Sequence, residues 1–269
     1  MSKQIVFFGS SPFSTIVLEK VLGSRFQVIG VITTEDKPVG RGLKITPNPV
    51  KVLAQKNNIP VYDSITPLPP LNLRGGGPQD GGDIGLVAAY GQIIKQETLD
   101  KFNGQIYNIH PSLLPKYRGP SPLQEQVLDG IVETGVTIIQ LDALLDHGPI
   151  VAVAHDKISP DDTTETLGNR LFEKGANLFL NLLNTKHRTP NIQNEADASF
   201  TKKLTRQDGF VPWEQFQPEK LDRQFRAFYN WPGIWTTTPN GQRLKLIAIK
   251  PEILVQLEGK TVQHWPIQN

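Results

Sequence analysis

From its start to about Leu183 the chain alternates short apolar runs with polar stretches of helical spacing. "QIVFFG", Gln4–Gly9, is an apolar run closed by glycine. Ser11 before Pro12 then supplies a hydroxyl cap and a first-turn proline, and Ser14–Leu22 carries helical spacing. Phe26–Thr33 is a second β-rich run. A β-α-β start of this kind predicts a parallel sheet with a right-handed crossover. Its glycines do not follow G-x-G-x-x-G, so a dinucleotide site gets little support. Thr34–Asn58 reads as a long polar loop through Gly40 and Gly42, then a helix begun by Pro47 and Pro49 and running to about Lys56. "IPVYD" predicts a short strand, and the Gly/Pro-rich stretch Thr66–Asp83 predicts irregular chain.

The unbroken apolar run Ile84–Tyr90 predicts a strand covered on both faces. Further strands are expected over Gly104–His110, Thr134–Leu141 and Pro149–Ile158, with helices over Ser121–Gly130 and Asp162–Leu183. The alternation then stops. Asn184–Ser199 is a polar linker, followed by a helix over Pro218–Phe228 and β-like runs at Gly233–Pro239, Arg243–Lys250 and Glu252–Gly259. The expected fold class is α/β: a Rossmann-like, mostly parallel sheet with helices on both faces, plus a small C-terminal β-rich domain. The expected divisions are 1–184, a linker over 185–205, and 206–269.

Length and composition agree with two domains: 269 residues exceed most single cores, and 38% hydrophobic with 20% charged residues suits a globular chain. There is no cysteine, which removes disulfides and thiolate chemistry and fits a reducing, cytoplasmic setting. No apolar run approaches the ~20 residues that span a bilayer, so no membrane role is expected. The N-terminus reads as a first strand and not as a signal peptide. Net charge is +2, yet residues 201–250 hold nine Lys/Arg against four acids. That imbalance points to a polyanion partner for the C-terminal part, though a solvated face would give the same count.

The candidate chemistry lies in "YNIHPSLLPKYRGPSP", Tyr107–Pro122. Residues two apart on a strand share a face, so Asn108 and His110 point together from the end of a predicted strand. In open α/β sheets ligands bind in the crevice beyond such ends. Asp142, Asp146 and His147 follow another strand. An amide can donate to a developing oxyanion, an imidazole can move a proton near neutrality, and a carboxylate beside it fixes the tautomer. This set suits acyl transfer to an amine that the substrate itself supplies, without a serine or cysteine nucleophile. A structural corner, with Asn108 capping the loop and His110 bonding backbone, is the alternative at this point. His110, Asp146, His147 and His155 lack metal-ligand spacing, so no metal is expected.

"NIHPSLLPKYRG" followed by "DHGPI" resembles the folate-dependent formyltransferases. The resemblance implies 10-formyltetrahydrofolate as co-substrate and Asn108, His110 and Asp146 as the catalytic set. It implies folate contacts at Ser112, Leu113, Leu114 and Pro115, at Ala88, Ala89, Tyr90 and Gly91 of "VAAYG", and at Asp142. "EDKPVGRGLKITPNPVK", Glu35–Lys51, resembles the loop of the family branch that acts on methionyl-tRNA. Lys37, Arg41 and Lys44 would then meet the acceptor end of a charged initiator tRNA, with Lys202, Lys203 and Arg206 further tRNA contacts. Leu221–Thr236 and Val255–Lys260 resemble that branch's OB-like C-terminal domain, here only about 65 residues. "RGGGPQDGGDIG" puts six glycines where the family runs a helix, so a disordered or missing helix is expected. A monomer is expected. A sugar-amine formyltransferase, a glycinamide ribonucleotide formyltransferase and a non-catalytic RNA-binding relic remain rival readings.

Overall fold

A computed structural model describes residues 3–39, 44–63, 82–185 and 190–266. Most of the six-glycine stretch, including the helix expected to be missing, lies outside the described residues. The elements in chain order are β1 (Gln4–Phe8), α1 (Pro12–Leu22), β2 (Gln27–Thr33), β3 (Lys37–Val39), β4 (Lys44–Thr46), α2 (Pro49–Lys56) and β5 (Val61–Asp63). β6 (Ile84–Ala88), α3 (Gln96–Lys101), β7 (Ile106–His110), α4 (Pro122–Asp129), β8 (Glu133–Gln140), β9 (Ile150–Lys157) and α5 (Thr164–Asn184) follow. The C-terminal part holds α6 (Asp222–Ala227) and β10 to β13 (Trp235–Thr237, Arg243–Ala248, Leu254–Leu257, Val262–His264).

The chain forms two compact units: residues 1–119, 135–156 and 168–200 in one, and 120–134, 157–167 and 201–269 in the other. In the first, seven strands run in the order β5-β2-β1-β6-β7-β8-β9. Pairs β1/β2, β2/β5, β1/β6 and β6/β7 are parallel. The chain winds outward from β1 to β2 and β5, then returns to β6 on the other side of β1. That reversal opens a crevice at the carboxyl ends of β1 and β6. In the second unit β10 to β13 form a four-stranded antiparallel sheet, the small β-rich unit expected from the short apolar runs.

Local chemistry explains the elements around the crevice. The Ser11 side chain accepts from the Ser14 amide while the Ser14 hydroxyl accepts from the Ser11 amide, a reciprocal cap that starts α1 at Pro12. The buried Ser14 hydroxyl also donates to the Ala88 carbonyl at 2.7 Å, tying α1 to the end of β6. Phe8, Val87, Tyr90, Phe102 and Ile106 share one apolar cluster, with Phe8 edge-on to both Tyr90 and Phe102. On the opposite face of β7, Tyr107 lies 6.0 Å from Phe179 of α5. A Cβ on Gly175 would stand 2.5 Å from the Ile109 side chain, so only glycine lets α5 settle there. Tyr107 and Ile109 are thereby sealed under the helix, worth about 1.5–3 kcal/mol each. Asn108 and His110 are left facing the other way.

Four details differ from the sequence reading. β3 and β4 pair inside the stretch expected to be loop, and α3 fills a segment too short to show a helical period. The helix expected over Pro218–Phe228 is a 3-10 turn at Pro218–Lys220 followed by α6. β8 runs antiparallel to β7, pairing His110 with Thr137 and Tyr107 with Gln140. The chain therefore leaves β8 beside Ile106, where the Leu141 amide donates to the Ile106 carbonyl, and must double back to reach the end of β7.

Candidate active site

The doubling back is made by residues 141–149. Gly148 makes it possible: a Cβ there would fall 1.8 Å from the Gln140 carbonyl oxygen. The turn throws Asp146, in the left-handed region at φ 47°, toward β7. Asn108 Nδ2 donates to Asp146 Oδ1 at 3.3 Å and the Gly119 amide donates to Oδ2 at 2.8 Å. His110 Nδ1 stands 3.6 Å from the same Oδ2. Both carboxyl oxygens of Asp146 accept from N–H donors. Asn108, His110 and Asp146 thus meet at one place, two of them from alternate positions of one strand and one from a loop 36 residues further on in sequence than His110.

His110 is oriented from its far side. Nε2 lies 2.9 Å from the Tyr117 carbonyl, which can only accept, so Nε2 carries the proton. Nδ1 is then the nitrogen left toward Asp146, at a distance too long for a hydrogen bond. His110 is 3% exposed and Asp146 9%, while Asn108 is half-buried. One Nδ2 proton of Asn108 remains for another acceptor. The arrangement offers an amide donor, an oriented imidazole and a carboxylate around one point. That is the equipment for steadying an oxyanion and moving a proton. Among the described residues no group of three or more His, Asp or Glu could hold a metal ion.

The remaining candidates fall in distinct places. Ser112 is fully buried; its hydroxyl donates to the Lys116 carbonyl at 2.8 Å, so it shapes the proline loop. Leu114 is buried, and Leu113 and Pro115 are half-buried. Ala88 and Tyr90 are buried, Ala89 is half-buried with φ 45°, and Gly91 is exposed with φ 74°. The Tyr90 carbonyl accepts from Ser10 Oγ at 2.5 Å. Asp142 does not join the three: its Oδ2 is 2.6 Å from His147 Nδ1 and its Oδ1 accepts from the Leu144 amide. Lys37 and Lys44 sit on the paired β3 and β4, and Arg41 lies outside the described residues. Lys202, Lys203 and Arg206 are exposed in the second unit, with Lys202 hydrogen-bonded to Asp208. A cleft of about 440 Å³ in that unit is lined by Leu128, Lys220, Asp222, Arg223, Gln224 and Arg226.

Residues to which the sequence reading assigned no site role surround the centre. Arg118 is 1% exposed and reaches Gln193 Oε1 through Nε (3.1 Å) and NH2 (2.8 Å). It also forks onto the Glu195 carboxylate at 2.9 and 2.7 Å. That guanidinium holds Glu195 below the ordinary carboxylate range. Gln193 donates from Nε2 to the carbonyls of Asp146 and Gly148, both at 2.8 Å. Gln193 and Glu195 belong to the stretch read as a polar linker. A glutamine in a polar run carries no signal of burial, so only its distant partners reveal it.

Residues 3–183 match the formyl transferase family, and residues 203–264 match the formyl transferase C-terminal domain. The chain belongs to the formyl transferase family. This formyl transferase is 42% identical over 257 residues to a protein of Roseiflexus castenholzii named methionyl-tRNA formyltransferase, covering 93% of this chain and 80% of that protein. Among solved structures it is similar to methionyl-tRNA formyltransferase from Clostridium thermocellum, with TM-score 0.65 and 18% identity over 98% of this chain and all of the other. It is similar too to WlaRD, a sugar 3N-formyl transferase solved with dTDP and 5-N-formyl-THF, with TM-score 0.63 and 19% identity over 97% of this chain and 99% of that one. At such identities the solved structures speak for the fold alone.

Proposed function

We propose that this formyl transferase moves the formyl group of 10-formyltetrahydrofolate to the α-amine of methionyl-tRNA, acting in the cytoplasm as a monomer. The observation that carries the chemistry is the meeting of Asn108 and His110 with Asp146 at the end of β7. The acceptor rests on the shared length with relatives named for methionyl-tRNA.

The free α-amine has a pKa of ~7.7–8.0, so much of it arrives protonated at neutral pH. His110 Nδ1, its lone pair free because Nε2–H is held by Tyr117, takes that proton, and the Asp146 carboxylate steadies the resulting imidazolium. The neutral amine attacks the formyl carbon and a C–N bond forms. The second Asn108 amide proton and the Nδ1 proton face the oxyanion that develops. Collapse breaks the bond to the folate nitrogen, which receives the imidazolium proton through water, while the attacking nitrogen, cationic since the C–N bond formed, gives its remaining extra proton to the imidazole so freed and thence to solvent. Formyl-methionyl-tRNA and tetrahydrofolate leave. Every group in this scheme is held before substrate arrives, which is where rate is gained.

Folate lies along Ala88, Ala89, Tyr90, Gly91, the loop Ser112, Leu113, Leu114 and Pro115, and Asp142. Lys37, Arg41 and Lys44 meet the acceptor end of the tRNA, and Lys202, Lys203 and Arg206 its backbone. Residues 1–184 work as the catalytic domain, 185–205 as the linker and 206–269 as a short OB-like domain. The test is one assay with 10-formyltetrahydrofolate and three acceptors: methionyl-tRNA, a 4-amino nucleotide sugar and glycinamide ribonucleotide. Turnover of methionyl-tRNA is expected. Turnover of only one of the others would transfer the site to that substrate, and turnover of none would leave an RNA-binding relic.

A further inference from the structure

Ala89, Tyr117 and Asp146 all sit at positive φ around the proposed centre, at 45°, 62° and 47°. Such a conformation is rare outside glycine, most of all for a bulky residue like tyrosine, and persists only where the surroundings over-determine it. Tyr117 and Asp146 also carry the two backbone features that matter most. The Tyr117 carbonyl fixes the His110 tautomer, and the Asp146 turn aims its carboxylate. What over-determines them is one segment, Asn191–Phe200.

Its contacts fall on both loops. Asn191 exchanges two 2.8 Å backbone hydrogen bonds with Ile150, where the Asp146 loop enters β9. Gln193 then donates to the Asp146 and Gly148 carbonyls, on either side of the tight approach to Gln140. Ser199 accepts from the Tyr117 amide through its hydroxyl at 2.8 Å and from the Arg118 amide through its carbonyl at 2.8 Å. Arg118 closes the circuit by reaching from the proline loop back to Gln193 and Glu195. The proline loop presents Gly119 N–H to Asp146 Oδ2, so the two loops are joined at the carboxylate from one side and at Gln193 from the other.

We infer that Asn191–Phe200 is a brace of the active centre, with Gln193 as a positioning residue for Asp146 and Ser199, through Tyr117, for His110. This rests on the formyl transfer proposed above and adds to it. A segment that joins two family domains in sequence also sets the geometry of the reaction. Gln193 touches no reacting atom; its two donors hold the left-handed turn in the only place from which Asp146 meets Asn108. A displacement of about 1 Å at a reacting group can cost 10²-fold.

Two variants of the whole chain test it. Gln193→Met removes the donors and the acceptor; Gln193→Glu keeps oxygens for Arg118 and removes only the donors. In both, kcat with methionyl-tRNA should fall between about tenfold and a hundredfold, while the folate KM and the number of folate sites per chain stay within about twofold. The Gly119 amide, released from Asp146, should exchange its hydrogen roughly tenfold faster by hydrogen-exchange mass spectrometry or NMR. Unchanged kcat and unchanged Gly119 exchange overturn the brace. So does a kcat that falls only in step with the count of folate sites, since that reports lost folded protein. A wild-type chain inactive on methionyl-tRNA sinks the proposed acceptor instead, and the Gly119 exchange still decides the brace.

Discussion

The two units use opposite designs. In the first, the three meeting side chains are largely out of water and almost every polar atom around them has a named partner. In the second, Lys202, Lys203 and Arg206 stand in solvent, and the side chain of Lys202 pairs with the half-buried carboxylate of Asp208. Burial makes direction matter: in a low-dielectric site a misaimed dipole has no water to stand in for it. Exposure makes only charge matter, because each cation is screened and replaceable. The first design should break at single residues and the second only by degrees.

The largest expected break is Asn108→Ala. It removes the donor proposed for the oxyanion and one of the bonds that hold Asp146. Loss of one such donor costs about 10²–10³ in kcat, with folate affinity nearly unchanged. Steady-state kinetics at saturating folate measure it, and near-normal turnover would remove Asn108 from the reaction.

Next comes Gly148→Ala. The new Cβ would meet a backbone oxygen 1.8 Å away, and backbone does not yield as a side-chain tip would. Crowding of this kind destabilises by about 1–3 kcal/mol, which at roughly 2–4 °C per kcal/mol lowers Tm by several degrees. Asp146 stands two residues away, so kcat should fall with Tm. A thermal melt that matches the wild type, with full activity, would mean the turn has room that its geometry denies.

These two positions also separate what could be read in the sequence from what could not. Asn108 and His110 are legible because strand alternation puts them on one face and the proline loop ends the strand behind them. The Asp146 meeting was expected at a second strand end. The structure reaches it differently: β8 is antiparallel, and a loop returns from the level of Ile106. β8 is buried from Thr134 to Ile139, so its run reads like that of the parallel strands beside it and the sequence has no mark of that reversal. Gln193 and Glu195 are illegible for a different reason. Their partners lie 45 to 77 residues away, and in sequence a buried glutamine looks like any glutamine in a linker. Gly148 stands between: "DHG" is visibly a turn, but the need for glycine comes from Gln140, which only the fold brings near.

The smallest effect sharpens the other side of the comparison. Lys202 raises Asp208's preference for the charged form, and the Thr205 amide and hydroxyl add to it, holding that carboxyl at about 2. Lys202 is in turn raised above the ordinary ammonium range by Asp208. A depressed carboxylate favours the folded state fully above its ordinary pKa of ~3.9 and loses that contribution as pH falls toward its folded value. The pair is therefore intact at neutral pH. Its ammonium side stands in solvent, so the pair adds little to stability, and Asp208→Asn, whose amide oxygen can still accept from Thr205, should leave Tm almost unmoved. RNA binding is the sensitive readout. With Asp208 gone, the Lys202 ammonium is free to neutralise a phosphate, and the slope of log K against log salt should steepen by about 0.7–0.9. Lys202→Ala in the Asp208→Asn background should return the slope to its starting value. If Asp208→Asn leaves the slope unchanged, Lys202 is off the path of the nucleic acid. The second unit would then owe its affinity to other cations, with Lys203 and Arg206 the first to exchange.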